Sequence, residues 1–210
     1  MEAIPLKVVL LGESGVGKTS IINRFMGQRH DKSILSSLSA QFVSKMIDYE
    51  DLGKAIKFDI WDTVGQERFR SMAKIFYKDA KIILLVYDIT SETTFDAIKD
   101  YWYGEIKNNC DNDPILVIIG NKSDLYMEEK VEKDVAKEFA KSIGALFYMT
   151  SALSNQGINP LFEEIGRDYL NPICEKELND KKIGIDNKKI KLEDNQNDNQ
   201  ENKGKKRCCK

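Results

Sequence analysis

Residues 12–19 read Gly12-Glu13-Ser14-Gly15-Val16-Gly17-Lys18-Thr19, the pattern G-x-x-x-x-G-K-[ST]. Glycines at that spacing let backbone N–H groups turn inward around phosphate oxygens with no side chain in the way. The run Leu6-Lys7-Val8-Val9-Leu10-Leu11 before it reads as a strand. A helix opens after it, and its N-terminus adds partial positive charge where the phosphates would lie. Lys18 can reach the outer phosphates, and the Thr19 hydroxyl can bind Mg²⁺. The chemistry is nucleotide binding, with ATP and GTP both open at this point.

Two further stretches narrow it. The apolar run Ile115–Ile119 leads into Gly120-Asn121-Lys122-Ser123-Asp124. A carboxylate there can accept hydrogen bonds from both N1–H and the 2-amino group of guanine. Adenine offers neither donor on that edge, and a carboxylate left unpaired rejects the wrong base. Later, Thr150-Ser151-Ala152 offers a backbone N–H for the guanine O6. Asp62-Thr63-Val64-Gly65-Gln66-Glu67 follows another strand. Asp62 is placed to hold Mg²⁺ through a water, Gly65 lets a backbone N–H approach the γ-phosphate, and Gln66 could orient an attacking water.

These loops need a scaffold, and the hydropathy pattern supplies one. The predicted strands are Leu6–Leu11, Gln41–Tyr49, Ala55–Trp61, Ile82–Tyr87, Ile115–Gly120 and Leu146–Met149. The continuous apolar runs Ile82–Val86 and Ile115–Ile119 suit central parallel strands buried on both faces. The polar turn at 50–54 predicts a hairpin pairing Gln41–Tyr49 with Ala55–Trp61. Between strands lie helix-period stripes: Phe95, Ile98, Trp102, Ile106; Val131, Val135, Phe139, Ile143; and Leu161, Ile165, Tyr169. All three are expected to face the core. Alternation of strand and helix predicts an α/β three-layer fold with helices on both faces of a mostly parallel sheet and right-handed crossovers.

The chain has 210 residues and a formal net charge of −2, and its charge is uneven. Residues 179–210 hold 10 basic and 6 acidic residues, while residues 1–178 carry a net −6. From about Lys176 apolar periodicity stops, so 176–210 reads as a disordered tail behind one folded domain at 1–175. No run of 18 apolar residues exists to span a membrane. Residues 1–5 lack a basic n-region, so no secretory signal is expected. Four cysteines, two of them adjacent at 208 and 209, are too few for a disulfide framework and suit a reducing, cytosolic setting.

The four motifs together resemble the Ras superfamily of small GTPases. Trp61-Asp62-Thr63-Val64-Gly65-Gln66-Glu67-Arg68-Phe69, followed by Ile75-Phe76-Tyr77-Lys78-Asp79-Ala80, is similar to the Rab branch, with its W-D-T-A-G-Q-E-R-F and Y-Y-R-G-A-like stretches. The resemblance covers about residues 5–170 and the cysteine ending. It implies a six-stranded P-loop G domain with one antiparallel strand, cycling between GTP and GDP with Mg²⁺ to regulate vesicle traffic. Its implied catalytic residues are Lys18, Gly65 and Gln66. Its implied nucleotide contacts are residues 13–20, including Glu13, Ser14, Val16 and Ser20, with His30, Ser37, Gly65, Asn121, Lys122, Asp124, Ser151, Ala152 and Leu153. Thr19, Ser37 and Asp62 would hold the metal. It further implies a monomer served by an exchange factor, an activating protein, effectors and a GDP-dissociation inhibitor or escort protein, with no nucleic-acid partner.

Several positions depart from that pattern. Counting about 18 residues from Thr19 reaches Ser37 where the family has Thr, with Ser36 as the alternative register. Val64 stands for the usual Ala, Leu153 for the Lys of S-A-K, and His30 for a Phe that packs edge-on to guanine. Leu38-Ser39-Ala40-Gln41-Phe42 is closer to the endosomal branch. Five of the last eight residues are basic, around Cys208-Cys209. Paired terminal cysteines recur in Rabs as double prenylation sites, which implies anchoring to the cytoplasmic face of intracellular membranes with a cytosolic pool. A competing reading is a GTP-binding scaffold with negligible hydrolysis, motivated by Val64 and Ser37. A nucleotide kinase is disfavoured by Asn121–Asp124 and by a short chain with no obvious lid.

Overall fold

The computed structural model describes residues 3–28, 41–63, 73–110 and 112–176. Six strands form one sheet: β1 (Ala3–Leu11), β2 (Gln41–Tyr49), β3 (Lys54–Asp62), β4 (Ile82–Asp88), β5 (Ile115–Asn121) and β6 (Leu146–Met149). Their order is β2-β3-β1-β4-β5-β6. β2 runs antiparallel to β3, and every other pair is parallel. The predicted hairpin is present. It turns through a short 3₁₀ segment, Glu50–Leu52, and Gly53.

The helices are α1 (Lys18–Phe25), α2 (Ala73–Tyr77), α3 (Glu92–Ala97), α4 (Tyr103–Asn109), α5 (Lys133–Ser142) and α6 (158–176). A π-helical segment, Ile98–Trp102, joins α3 to α4. The chain divides into two units inside α6, between Glu164 and Ile165, and residues 165–176 form the second half of that helix.

Every residue of β4 is buried, because it lies between β1 and β5 with helices over both faces. Alternate side chains therefore serve two cores. On one face Val9, Leu11, Ile83, Leu85, Tyr87 and Ile118 pack with Phe95, Ile98, Trp102 and Ile106. On the other, Phe58 of β3 meets Phe25 of α1 and Phe162 of α6 edge-on, at 6.0 and 5.9 Å between ring centroids, while Phe25 and Phe162 stack at 3.7 Å. These are the three layers the alternation predicts.

One expected stripe is wrong in detail. Val131 is buried but precedes α5, and Val135 is 52% exposed. The buried side of α5 is Ala136 and Ala140, with Phe139 and Ile143 at its margin. Alanines let the helix axis approach the sheet closely, and a valine one position earlier in the turn falls on the solvent side. The parallel strands all end at one edge, so Leu11, Asp62, Asp88, Asn121 and Met149 release their loops side by side. Such an edge is where open α/β sheets bind ligands.

Candidate functional site

The loop after β1 turns back so tightly that two glycines are mechanically required. Gly12 has φ +140°, and a Cβ there would lie 2.2 Å from Val86 O. Gly17 has φ +99°, and its Cβ would meet Asn121 Nδ2 at 2.3 Å. α1 starts at the next residue. The Lys18 side chain folds over the loop and donates to Gly12 O and Glu13 O, both at 2.8 Å. Burial lowers its pKa to about 8, against the opposing pull of Asp62 and Glu13. A desolvated ammonium is thus held over the loop, poised for phosphate oxygens.

Beside it, the Thr19 hydroxyl donates to Asp62 Oδ2. Asp62 is only 2% exposed, and its Oδ1 has no hydrogen-bond partner among the described residues. Burial pushes this carboxyl's pKa up, countered by the Thr19 hydrogen bond and the Lys18 charge. A buried carboxylate oxygen left unpaired next to a hydroxyl suits a hard divalent cation, which takes oxygen ligands. The donors present therefore fit Mg²⁺.

Two supports were not foreseen from sequence. Thr63 Oγ1 donates to Leu10 O at 2.6 Å, locking the end of β3 to β1. Trp102 Nε1 donates to Glu13 Oε1 at 3.2 Å, so the π segment brings a buried indole under the phosphate loop. Mid-helix π turns often mark functional positions.

On the base side, Asn121 is 1% exposed and its amide joins three loops. Nδ2 donates to Val16 O at 2.8 Å. Oδ1 accepts from Thr150 Oγ1 at 3.1 Å and more loosely from Ala152 N at 3.4 Å. Lys122, with φ +66°, sends Nζ to Asp88 Oδ2 at 2.5 Å, and Asp88 Oδ1 is held by Thr90 N and Oγ1. Asp124 Oδ1 accepts from Ser151 Oγ at 2.5 Å. Ser151 N is given to Gln156 O, which closes the turn. The loosely held Ala152 N–H is thus the donor this turn has to offer a carbonyl. Arg24, on α1, donates from Nε to Ala152 O and from Nη2 to Leu153 O, both at 2.7 Å.

Between these walls lies a cavity of about 320 Å³, within the usual range for small-molecule sites. Gly15, Gly17 and Ser20 line its phosphate-loop side; Asn121, Lys122, Asp124, Ala152 and Leu153 line the other. All eight are sequence-predicted positions. Leu125 completes the lining, and its place directly after Asp124 was the available signal. Glu13, Ser14, Val16, Lys18, Thr19, Asp62 and Ser151 lie on the loops and strand ends of the same sheet edge outside that lining, with Ser14 exposed. His30, Ser37, Gly65, Gln66, Cys208 and Cys209 lie outside the described residues, as do Ser36 and Val64. Arg24 had no sequence signal beyond its place on the helix after the loop.

A parallel sheet with one antiparallel edge, its phosphate loop and its base-side loops at one edge, defines a Ras-like P-loop G domain. The Ras family model matches residues 7–171. Ras-related protein Rab-22A of Homo sapiens is 44% identical over 163 residues, 77% of this chain and 82% of that protein. Rab-21 of Homo sapiens is 41% identical over 163 residues, 78% and 71% of the two chains. RabJ of Dictyostelium discoideum is 42% identical over 164 residues, of whose length the chain spans 63%. The chain belongs to the Ras family and is a Rab small GTPase of the Rab-21/Rab-22A type, in line with the endosomal cast of Leu38–Phe42.

The Lys18 pKa makes a pH prediction. Bound phosphates stabilise the ammonium and so raise its pKa above the value of about 8 set by burial. Affinity for a nucleoside diphosphate should be flat below pH 8 and fall as pH rises through 8 toward the pKa of the complex, by at most about tenfold per pH unit. Titrations from pH 7 to 9.5 check this, and Lys18→Met should lose the slope.

Proposed function

We propose that the chain hydrolyses GTP slowly and uses the GTP and GDP states to recruit partners to an intracellular membrane. The observation that carries the reading is one cavity shared by the phosphate loop, at Gly15, Gly17 and Ser20, and by Asn121, Lys122, Asp124 and Ala152; that loop runs straight into Lys18 and Thr19, and Thr19 is bonded to Asp62. The first group suits phosphates and the second suits guanine. Thr19 and Asp62 would hold Mg²⁺, which when bound would supply charge neutralisation at the phosphates. Transfer to water needs positioning and electrostatic stabilisation more than covalent chemistry. Lys18 offers a fixed positive charge, Gly65 a backbone donor for the γ-phosphate, and Gln66 an orienting group for the water. Ser37 would close the metal site when the γ-phosphate is present and release it after hydrolysis.

The aromatic row supports partner reading of that difference. Phe42 lies 5.0 Å from Trp61, and Trp61 5.8 Å from Phe76, between ring centroids. Phe42 remains 51% exposed. This row sits on β2, β3 and α2, next in sequence to the segments at 29–40 and 64–72. An aromatic cluster with Phe42 exposed and Trp61 and Phe76 half-buried would be available to a partner when the neighbouring segments take their GTP arrangement.

The tail from about 176 would act as a tether. Two lipids on Cys208 and Cys209 give durable anchoring where one is marginal. The flanking lysines and arginine add roughly 1 kcal/mol each at an anionic surface. No helix among the described residues is long and apolar enough to cross a membrane.

Single-turnover hydrolysis tests the enzymatic reading. Wild type should lose γ-phosphate on the order of 10⁻⁴ s⁻¹ without a partner, and Gln66→Leu should be slower. Hydrolysis that is absent even with an activating partner present would leave a nucleotide-holding scaffold. Imaging the tagged chain tests the tether: Cys208→Ser with Cys209→Ser should move it from membranes to cytosol, and a double variant still on membranes would refute anchoring.

A further inference from the structure

The turn at 151–154 is held by three side chains, and two of them have work to do at the base. Asp124 accepts from Ser151 Oγ, and Asn121 Oδ1 accepts from Ala152 N. On the guanine reading, which this inference rests on, the Asp124 carboxylate and the Ala152 N–H both take partners on the purine when it enters. Their present grip on the turn then weakens. Arg24 is different. Its guanidinium holds the carbonyls of Ala152 and Leu153 at 2.7 Å each. These carbonyls belong to the peptide planes after Ala152 and after Leu153, not to the plane that carries the Ala152 N–H, so the Arg24 bonds use neither that donor nor the Asp124 carboxylate. A bound base would leave them in place.

The donor is also well founded. Arg24 lies in the last turn of α1, whose first residues are Lys18 and Thr19. A cation in the last turn is favoured by the helix dipole. Two planar, charge-assisted donors fix direction as well as distance, which a single ammonium cannot do. The helix that carries the phosphate machinery thus also sets the height of the base-side turn. Position 153 is leucine and 45% exposed. A leucine side chain brings no charge to the turn, so the cation at it comes from α1.

We infer that Arg24 is a positioning residue for guanine: through the Ala152 and Leu153 carbonyls it aims the Ala152 N–H at the purine 6-oxo group and slows nucleotide release. Truncating it frees the turn once Asp124 and Ala152 have turned to the base. Hydrogen bonds to a charged group of this kind correspond to about a tenfold change in rate when lost at a part-exposed site.

The test uses the full-length chain loaded in turn with GDP and with 6-thioguanosine diphosphate, whose sulfur is a poor acceptor at position 6. Release of each is followed in wild type, Arg24→Met and Arg24→Lys, with Mg²⁺ present. Arg24→Met should speed GDP release about tenfold and thio-analogue release less than about twofold. Arg24→Lys, with one point-like donor set, should fall between. If Arg24→Met does not fold, an Arg24→Lys release rate about threefold above wild type for GDP alone carries the same conclusion. Unchanged GDP release, or equal acceleration of both ligands, overturns the inference, because the second outcome is what mere loosening of α1 would produce. A wild-type chain that retains no GDP would overturn the guanine reading itself, and this inference with it.

Discussion

One buried amide holds the site together. Asn121 sits at the end of β5, shielded from water, and spends both halves of its side chain on other loops: Val16 on the phosphate side, Thr150 and Ala152 on the base side. A buried amide is stable only when its donor and acceptor are both used. Here the partners that use them belong to separate stretches of chain more than 100 residues from one end to the other. The requirement to satisfy Asn121 therefore fixes the distance between the phosphate cradle and the base pocket. It also explains Gly17, since any side chain there would strike the amide nitrogen.

The remaining polar groups at this edge are arranged in incomplete pairs. Lys18 is nearly buried and held by carbonyls, with its pKa pulled down by burial. Asp62 is buried with one oxygen unpaired and its pKa pushed up. Isolated buried charges cost free energy that the fold must meet from its cores, here the two apolar layers and the Phe25–Phe58–Phe162 cluster. A ligand bringing phosphates and a divalent cation would complete both pairs at once. Binding and stability are then linked: what fills the site also stabilises the domain.

The strands were legible because β4 and β5 are buried on both faces and so are written as unbroken apolar runs. The hairpin was legible because its turn is polar and ends in a glycine suited to positive φ. The phosphate and base motifs were legible because backbone approach demands glycine and guanine recognition demands a carboxylate. The α5 stripe misled at Val135. Fourfold spacing selects a helix face but not which face the sheet can approach, and the two alanines that allow close packing carry a weak hydrophobic signal. Trp102 was readable as core, but not as a donor to Glu13, because the π segment that aims it leaves no mark in the hydropathy pattern. Arg24, Thr63 and the clamping role of Asn121 depend on contacts between residues far apart in sequence, which spacing alone cannot express.

Phosphate cradle and base pocket share one cavity, which should make a single guanine-specific site. Calorimetric titration of nucleotide-free protein with GDP and with ADP, in Mg²⁺, tests it most directly. Asp124 and the Ala152 N–H should each find a partner on guanine and none on the matching edge of adenine. GDP should bind one-to-one and about 10⁴-fold more strongly than ADP. Comparable affinities for the two would contradict it.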